Sequence, residues 1–180
     1  MSLSLLKSDF KSWTFHNRNP HTIGTFLKYT RFYPEFRALI AFRLRDEKWL
    51  KPLAVIMRYS CKYHNLHICT QQIGSGFRPF HAFSTIIFAK SIGREFCVFQ
   101  NVTIGYSNGE NPVIGNNVTI YTGSIVLGGV KIGDNVIVGA GSVVNKDVPN
   151  DTMVVGNPAI IIKKYNRITN KWEKISHEKL

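Results

Sequence analysis

Acidic residues are scarce in this chain: 11 Asp and Glu stand against 23 Lys and Arg, which leaves a net charge of +12 over 180 residues. The cations are scattered rather than gathered into a basic tract, and they are densest from Lys163–Lys164 on to Lys179. Without a basic tract or a nucleic-acid motif, the sequence predicts no nucleic-acid partner. The charge instead suits phosphorylated ligands or the surface of an anionic membrane. Cysteine is nearly absent. Cys61, Cys69 and Cys97 are odd in number, irregularly spaced and free of any C-x-x-C pattern, so neither a disulfide framework nor a metal site is expected. They read as buried thiols of a reducing compartment. No apolar run approaches the ~18 residues of a membrane span. The start, Met-Ser-Leu-Ser-Leu-Leu-Lys-Ser-Asp, lacks the apolar core of a secretion signal, and a cytoplasmic protein is expected. No G-x-x-x-x-G-K-[ST] occurs, and Gly74-Ser75-Gly76 and Gly139-Ala140-Gly141 have no strand–turn–helix context, so nucleotide loops are not expected.

What the chain does have is a period of six. Ile86, Ile92, Val98 and Ile104 fall six apart; after a four-residue excess the beat resumes at Ile114, Ile120, Val126, Ile132, Val138 and Val144. Glycine follows at Gly93, Gly105, Gly115, Gly133 and Gly139. A small or β-branched residue comes four positions after most stops, at Val102, Val118, Ser124, Val130, Val136, Ser142 and Val148. A helix repeats at 3.6 and a strand at 2, so neither explains this pattern. A chain that turns a corner every six residues and buries one aliphatic on each flat does explain it, which is the hexapeptide form of a parallel β-helix. Asn116–Asn117, Gly128–Gly129 and Asp134–Asn135 supply turn chemistry between flats. The excess at Gly105 to Val113 cannot stay in the coil and is expected to project as a loop.

Before the repeat, residues 1–15 predict a helix with Leu3, Leu6, Phe10 and Trp13 on one face, and residues 16–33 read as irregular. Pro34 opens a helix whose stripe is Phe36, Leu39, Ile40 and Leu44. After a break at Asp46-Glu47-Lys48, a further helix carries Leu50, Leu53, Ala54, Met57 and Cys61. The first coil begins at Ile73-Gly74, with Phe77 and then Phe83 pointing inward. Residues 149–159 close the repeat, and a lysine-rich tail follows. The expected organisation is a helical segment at 1–66, a mainly β domain at 67–162 and a basic tail at 163–180.

Among six histidines, only His81 lies within the early coils, in Gly76-Phe77-Arg78-Pro79-Phe80-His81. A neutral imidazole held on a rigid coil can take a proton from an alcohol near neutral pH, which makes His81 the candidate general base.

These residues resemble the hexapeptide-repeat acyltransferases, in particular the serine acetyltransferase group and its polysaccharide O-acetyltransferase relatives. The resemblance rests on Ile73-Gly74-Ser75-Gly76, then His81, then Ile92-Gly93; on Val102-Thr103-Ile104-Gly105; and on the ending Gly139-Ala140-Gly141-Ser142-Val143-Val144, Asp147-Val148-Pro149 and Gly156-Asn157-Pro158-Ala159. It implies a left-handed parallel β-helix assembled as a homotrimer, with acetyl-CoA as co-substrate in clefts between subunits. It implies direct transfer of the acetyl group to a hydroxyl deprotonated by His81. It also implies CoA contacts at Thr122, Gly123, Ala140, Gly141, Asn145, Lys146 and Lys163, with the small residues flanking the pantetheine arm and the lysines near phosphates.

The chain departs from the serine enzymes at three places. Phe80 stands where they carry Asp, Glu110-Asn111-Pro112 where they carry Arg-His-Pro, and His67-Ile68-Cys69-Thr70 where they carry Asp-Ile-His-Pro. These segments look more like the colanic-acid and exopolysaccharide acetyltransferases. The carboxylate that would orient His81 is missing from its usual place. Phe80 could pack on a pyranose face, and Asn111 could pair with a sugar hydroxyl beside Glu110. The expected activity is therefore acetyl-CoA-dependent O-acetylation of a saccharide. The alternatives are serine O-acetylation, or a catalytically silent β-helix that assembles without turnover.

Overall fold

A computed structural model of the chain describes residues 2–16, 18–60 and 65–178. Among these, four helices come first: α1 (Ser2–His16), α2 (Ile23–Phe32), α3 (Pro34–Leu44) and α4 (Lys51–Tyr59), the last after a 3-10 turn at Lys48–Leu50. In α1, Leu6 and Trp13 are buried and Phe10 packs against the core, but Leu3 at the free end of the stripe is exposed. The polar Asp9, Ser12 and Thr14 are buried instead. The irregular stretch expected at 16–33 is corrected by α2. Thr22 caps it, its hydroxyl accepting the Thr25 N–H at 3.1 Å. The aromatics Phe26 and Tyr29 meet Phe10 and Phe36 edge-on across the helix interfaces. In α3, Phe36, Leu39, Ile40 and Leu44 are all buried, as the stripe predicts. In α4, Ala54 is buried while Leu53 is exposed. Cys61 lies outside the described residues.

The rest winds into a left-handed parallel β-helix of about five turns. One face stacks β1 (Leu66–Ile68), β3 (Thr85–Ile87), β6 (Thr103–Gly105), β9 (Ile125–Leu127) and β12 (Val143–Val144). A second stacks β4 (Ser91–Ile92), β7 (Val113–Ile114) and β10 (Lys131–Ile132). The third stacks β2 (Arg78–Pro79), β5 (Cys97–Val98), β8 (Thr119–Ile120), β11 (Ile137–Val138) and β13 (Thr152–Val155). The aliphatics on the beat from Ile92 to Val144 are buried in one column. Each contributes about 1.5–3 kcal/mol relative to exposure.

The register corrects the beat at its start. Ile86 is 44 % exposed and Ile87 is buried, stacked between Ile68 and Ile104. Phe83 is likewise exposed and Ala82 buried. Since Pro79 pairs with Val98, the inward position passes from Pro79 to Ile87 in eight steps instead of six. The two extra residues bulge outward, and His81 lies in the bulge.

Corners are held by side-chain ladders. Asn117 Nδ2 donates to Asn135 Oδ1 at 2.9 Å, and Asn135 Nδ2 donates to Asp151 Oδ1 at 2.8 Å. All three residues have φ between +53° and +59°, a left-handed conformation that Asn and Asp tolerate best among non-glycine residues. On the adjoining position the coils approach so closely that a Cβ at Gly93 would lie 2.6 Å from the Gly115 carbonyl oxygen.

In place of the tail expected from residue 163, β14 (Ile160–Asn166) and β15 (Lys171–Glu178) add two antiparallel strands to the third face. Tyr165 and Trp172 pack together across this hairpin. Lys163, Lys164, Lys171 and Lys174 flank these side chains, so composition alone reads as a tail.

Candidate active site

His81 is the first residue off a ladder. Phe80 still donates its N–H to the Val98 carbonyl at 2.7 Å, whereas His81 takes a φ of +47° and its carbonyl closes a tight turn by accepting from the Phe83 N–H at 2.8 Å. The imidazole is therefore carried outward, 64 % exposed, with Nδ1 3.8 Å from Glu35 Oε1. Glu35 sits in the first turn of α3 and its side chain is only 4 % exposed. Sequence reasoning missed it. A Glu after a helix-opening Pro reads as a helix-dipole partner, and nothing local signals a contact with a residue of the first coil.

Phe80 meets the imidazole edge-on at 5.6 Å. Its own face is stacked on Trp13 of α1 at 5.7 Å and 20°, and it tilts against Phe99 at 5.8 Å. Phe99 in turn stacks on Tyr121 at 4.8 Å. An aromatic strip thus runs from the helical segment past His81 to the third coil.

The corner between the third and first faces carries a straight column of backbone hydrogen bonds. Asn101 donates to the Phe83 carbonyl, Gly123 to that of Gln100 and Gly141 to that of Thr122, at 3.0, 3.1 and 2.9 Å. The column therefore places Thr122, Gly123, Ala140 and Gly141 in line with the His81 turn. Ala140 and Gly141 lie about three coil spacings from it, roughly 15 Å at ~4.8 Å per coil. Gly123 and Gly141 have φ of +70° and +66°, and a Cβ built on Gly141 would meet nothing within 4 Å. The space beside Gly141 is open.

The remaining predicted residues lie elsewhere. Asn145 and Lys146 follow β12 at the next corner, between the first and second faces, and both are exposed. Glu110 and Asn111 are at that same corner, between β6 and β7. The loop there is compact rather than simply projecting: Ser107 and Glu110 exchange backbone hydrogen bonds at 3.1 Å around Asn108 and Gly109, which have φ of +52° and +87°. The Glu110 carboxylate is exposed and lies over Gly129. Asn111 Oδ1 is buried without a hydrogen-bond partner among the described residues. Lys163 is on β14, opposite Met153 and Lys174. A cavity of about 410 Å³ between α3, α4 and β1, lined by Phe42, Ala54, Leu66 and Cys69 among others, includes none of these residues. The thiols differ from expectation in one case. Cys97 is buried, and burial pushes its thiol up despite Arg78 nearby, but Cys69 is exposed.

The hexapeptide coils and a histidine at their corner define a transferase of the hexapeptide-repeat class, and residues 111–146 match the family model "Bacterial transferase hexapeptide (six repeats)". A serine acetyltransferase of Synechococcus elongatus is 35 % identical over 140 residues, 72 % of this chain and 57 % of the relative, so the chain spans little more than half of that protein. One of Buchnera aphidicola is 33 % identical over 179 residues, 91 % of this chain and 67 % of the relative. The chain belongs to the serine acetyltransferase family. The crystal structure of a serine acetyltransferase from Brucella abortus in complex with coenzyme A superposes with a TM-score of 0.66 at 25 % identity, over 89 % of this chain and 67 % of that one.

These relatives overturn the saccharide acceptor read from Phe80, Glu110 and Asn111, since the similar proteins are serine acetyltransferases. The packing supplies a physical reason. The Phe80 face that was to carry a pyranose is taken by Trp13.

Proposed function

We propose that this chain is an acetyl-CoA-dependent serine O-acetyltransferase that works as a homotrimer. The observation that carries the reading is the corner column, which runs from the exposed His81 imidazole to the open space beside Gly141. The family supports the acyl donor and the acceptor, and the similar Brucella structure holds coenzyme A.

In this reading the thioester lies along Thr122, Gly123, Ala140 and Gly141. The serine hydroxyl gives its proton to His81 as its oxygen attacks the thioester carbonyl. The carbon–sulfur bond then breaks and the departing thiolate takes the proton back from the imidazolium. No acyl-enzyme forms, and His81 ends as it began. The two groups of predicted site residues occupy two corners of one chain, so a threefold assembly completes the site by setting the Asn111–Lys146 corner of one subunit against the His81–Gly141 corner of the next. Asn111 then joins the substrate site from the neighbouring subunit, as an amide able to pair with serine's polar groups.

The test is thiol release from acetyl-CoA with L-serine as acceptor, against D-serine, L-threonine and no acceptor. Serine-dependent release, with O-acetylserine as product, is expected. Release that no hydroxy amino acid stimulates would overturn the assignment.

A further inference from the structure

We propose that Glu35, delivered by the helical segment, is the positioning residue that fixes the ring of His81. The proposal rests on the reading of His81 as the base and supplies the carboxylate missing from its usual place. His81 needs such a partner. Its side chain is 64 % exposed and its backbone has left the ladder, so the coil alone does not set the ring's orientation. Glu35 has the opposite character. It is almost fully buried, it starts a helix whose Phe36, Leu39 and Ile40 are buried beside it, and the helix dipole there favours a negative charge. A buried carboxylate is costly without a compensating cation or hydrogen bond. His81 Nδ1, at 3.8 Å, faces it from the first coil.

The chemistry follows from which nitrogen faces which group. An Nδ1–H directed at Glu35 leaves Nε2 with its lone pair on the open side of the ring, which is the tautomer a base needs. During proton abstraction the ring becomes an imidazolium, and the carboxylate then gains a full positive neighbour. Its effect is therefore larger in the transition state than in the ground state, which places it in kcat rather than in KM. The 3.8 Å separation exceeds a hydrogen bond, and such pairs commonly tighten when substrate arrives. Phe80 at the ring edge, backed by Trp13, closes one side against water and against rotation of the imidazole.

Two measurements test this separately from the choice of acceptor. The first is the ¹⁵N spectrum of the His81 imidazole in the wild-type protein without substrates at a pH where the ring is neutral. The Nδ1–H tautomer is expected, and in Glu35→Ala the ring should move toward the Nε2–H form that free imidazole side chains prefer. A wild-type ring protonated on Nε2 overturns the proposal whether or not serine is the substrate. The second is steady-state kinetics with whichever acceptor releases thiol. Glu35→Gln should lose on the order of 10²-fold in kcat with both KM values within about twofold, and Glu35→Asp should recover part of the loss. A Glu35→Gln enzyme with wild-type kcat and an unchanged tautomer also overturns it.

Discussion

Asp9 and Arg43 form a two-pronged buried pair, Nε to Oδ2 at 2.7 Å and Nη2 to Oδ1 at 3.2 Å, that ties α1 to α3. The same groups reach into the first coil. Arg43 donates to the carbonyls of Ile73 and Gly74 at 2.7 and 2.6 Å, and Asp9 Oδ1 accepts the Phe77 N–H at 2.9 Å. The pair therefore welds the helical segment onto the β-helix, and it sets the position of α3 from which Glu35 reaches His81. Burial pushes the Asp9 carboxyl above its ordinary value despite the pull of Arg43, so the charge is held at a cost.

Removing one partner of such a pair strands the other. Asp9→Ala should destabilise the fold by about 3–5 kcal/mol. The check is the denaturation midpoint against Asp9→Ala/Arg43→Met, in which both charges are gone. The double variant should recover much of the loss. A single variant as stable as the wild type would show that the pair does not hold the helices on.

Asp151 gives a pH-dependent prediction with a definite sign. The Asn135 amide, and then Arg167, hold its carboxyl below the ordinary value of 3.8. A depressed carboxylate contributes stability above its unfolded value, and that contribution is lost as pH falls through the folded one. Asp151 has a φ of +59°, which Asn also tolerates, so Asp151→Asn removes the charge without adding backbone strain. The variant should melt below the wild type at pH 7, and the gap should narrow as pH falls below 3.8. A gap independent of pH would assign the effect to something other than the charge.

The repeat was legible because each inward aliphatic faces the same environment, so one physical demand recurs every six residues. Where a coil deviates, the pattern misleads. The eight-residue step from Pro79 to Ile87 made Ile86 look inward, and the register with Ile104 alone reveals the shift. The second helix escaped because Gly24, Thr25 and Thr30 weaken its propensity while its aromatic packing onto Phe10 and Phe36 is tertiary. His81 was legible from its place in the coils. Glu35 was not, because its meeting with His81 depends on how α3 docks. The acceptor was misread because Phe80 was judged as a free surface, and Trp13 covers it.

Ala140 and Gly141 lie beside open space at the end of the corner column, and Ala140 is exposed. Filling that space should obstruct the thioester arm without disturbing the buried column. Ala140→Phe should raise KM for acetyl-CoA by at least about tenfold, equivalent to ~1.4 kcal/mol of lost binding, with the melting temperature unchanged. Wild-type KM in this variant would move the donor site away from the corner.

His81→Ala should lower turnover by ~10²–10⁴ while leaving acetyl-CoA binding and assembly intact. Binding is checked by titration with CoA and assembly by light scattering. Wild-type turnover would remove His81 from the chemistry.

The division of site residues between two corners makes the strongest claim about assembly. If Asn111 acts on a substrate held at the neighbour's His81, each site needs one intact residue from each of two subunits. Asn111→Ala alone should lose about 10–10² in kcat/KM, the worth of one hydrogen bond to a charged group. Co-expressed with His81→Ala, it forms mixed trimers in which some sites join an intact His81 to an intact Asn111. With random mixing in a cyclic trimer, a site receives both with a chance of one half times one half, so roughly a quarter of wild-type activity should return. Two variants damaged within one self-contained site cannot rescue each other. Activity of the mixture no higher than the mean of the two separate variants would place His81 and Asn111 in the same subunit's site, or Asn111 outside it.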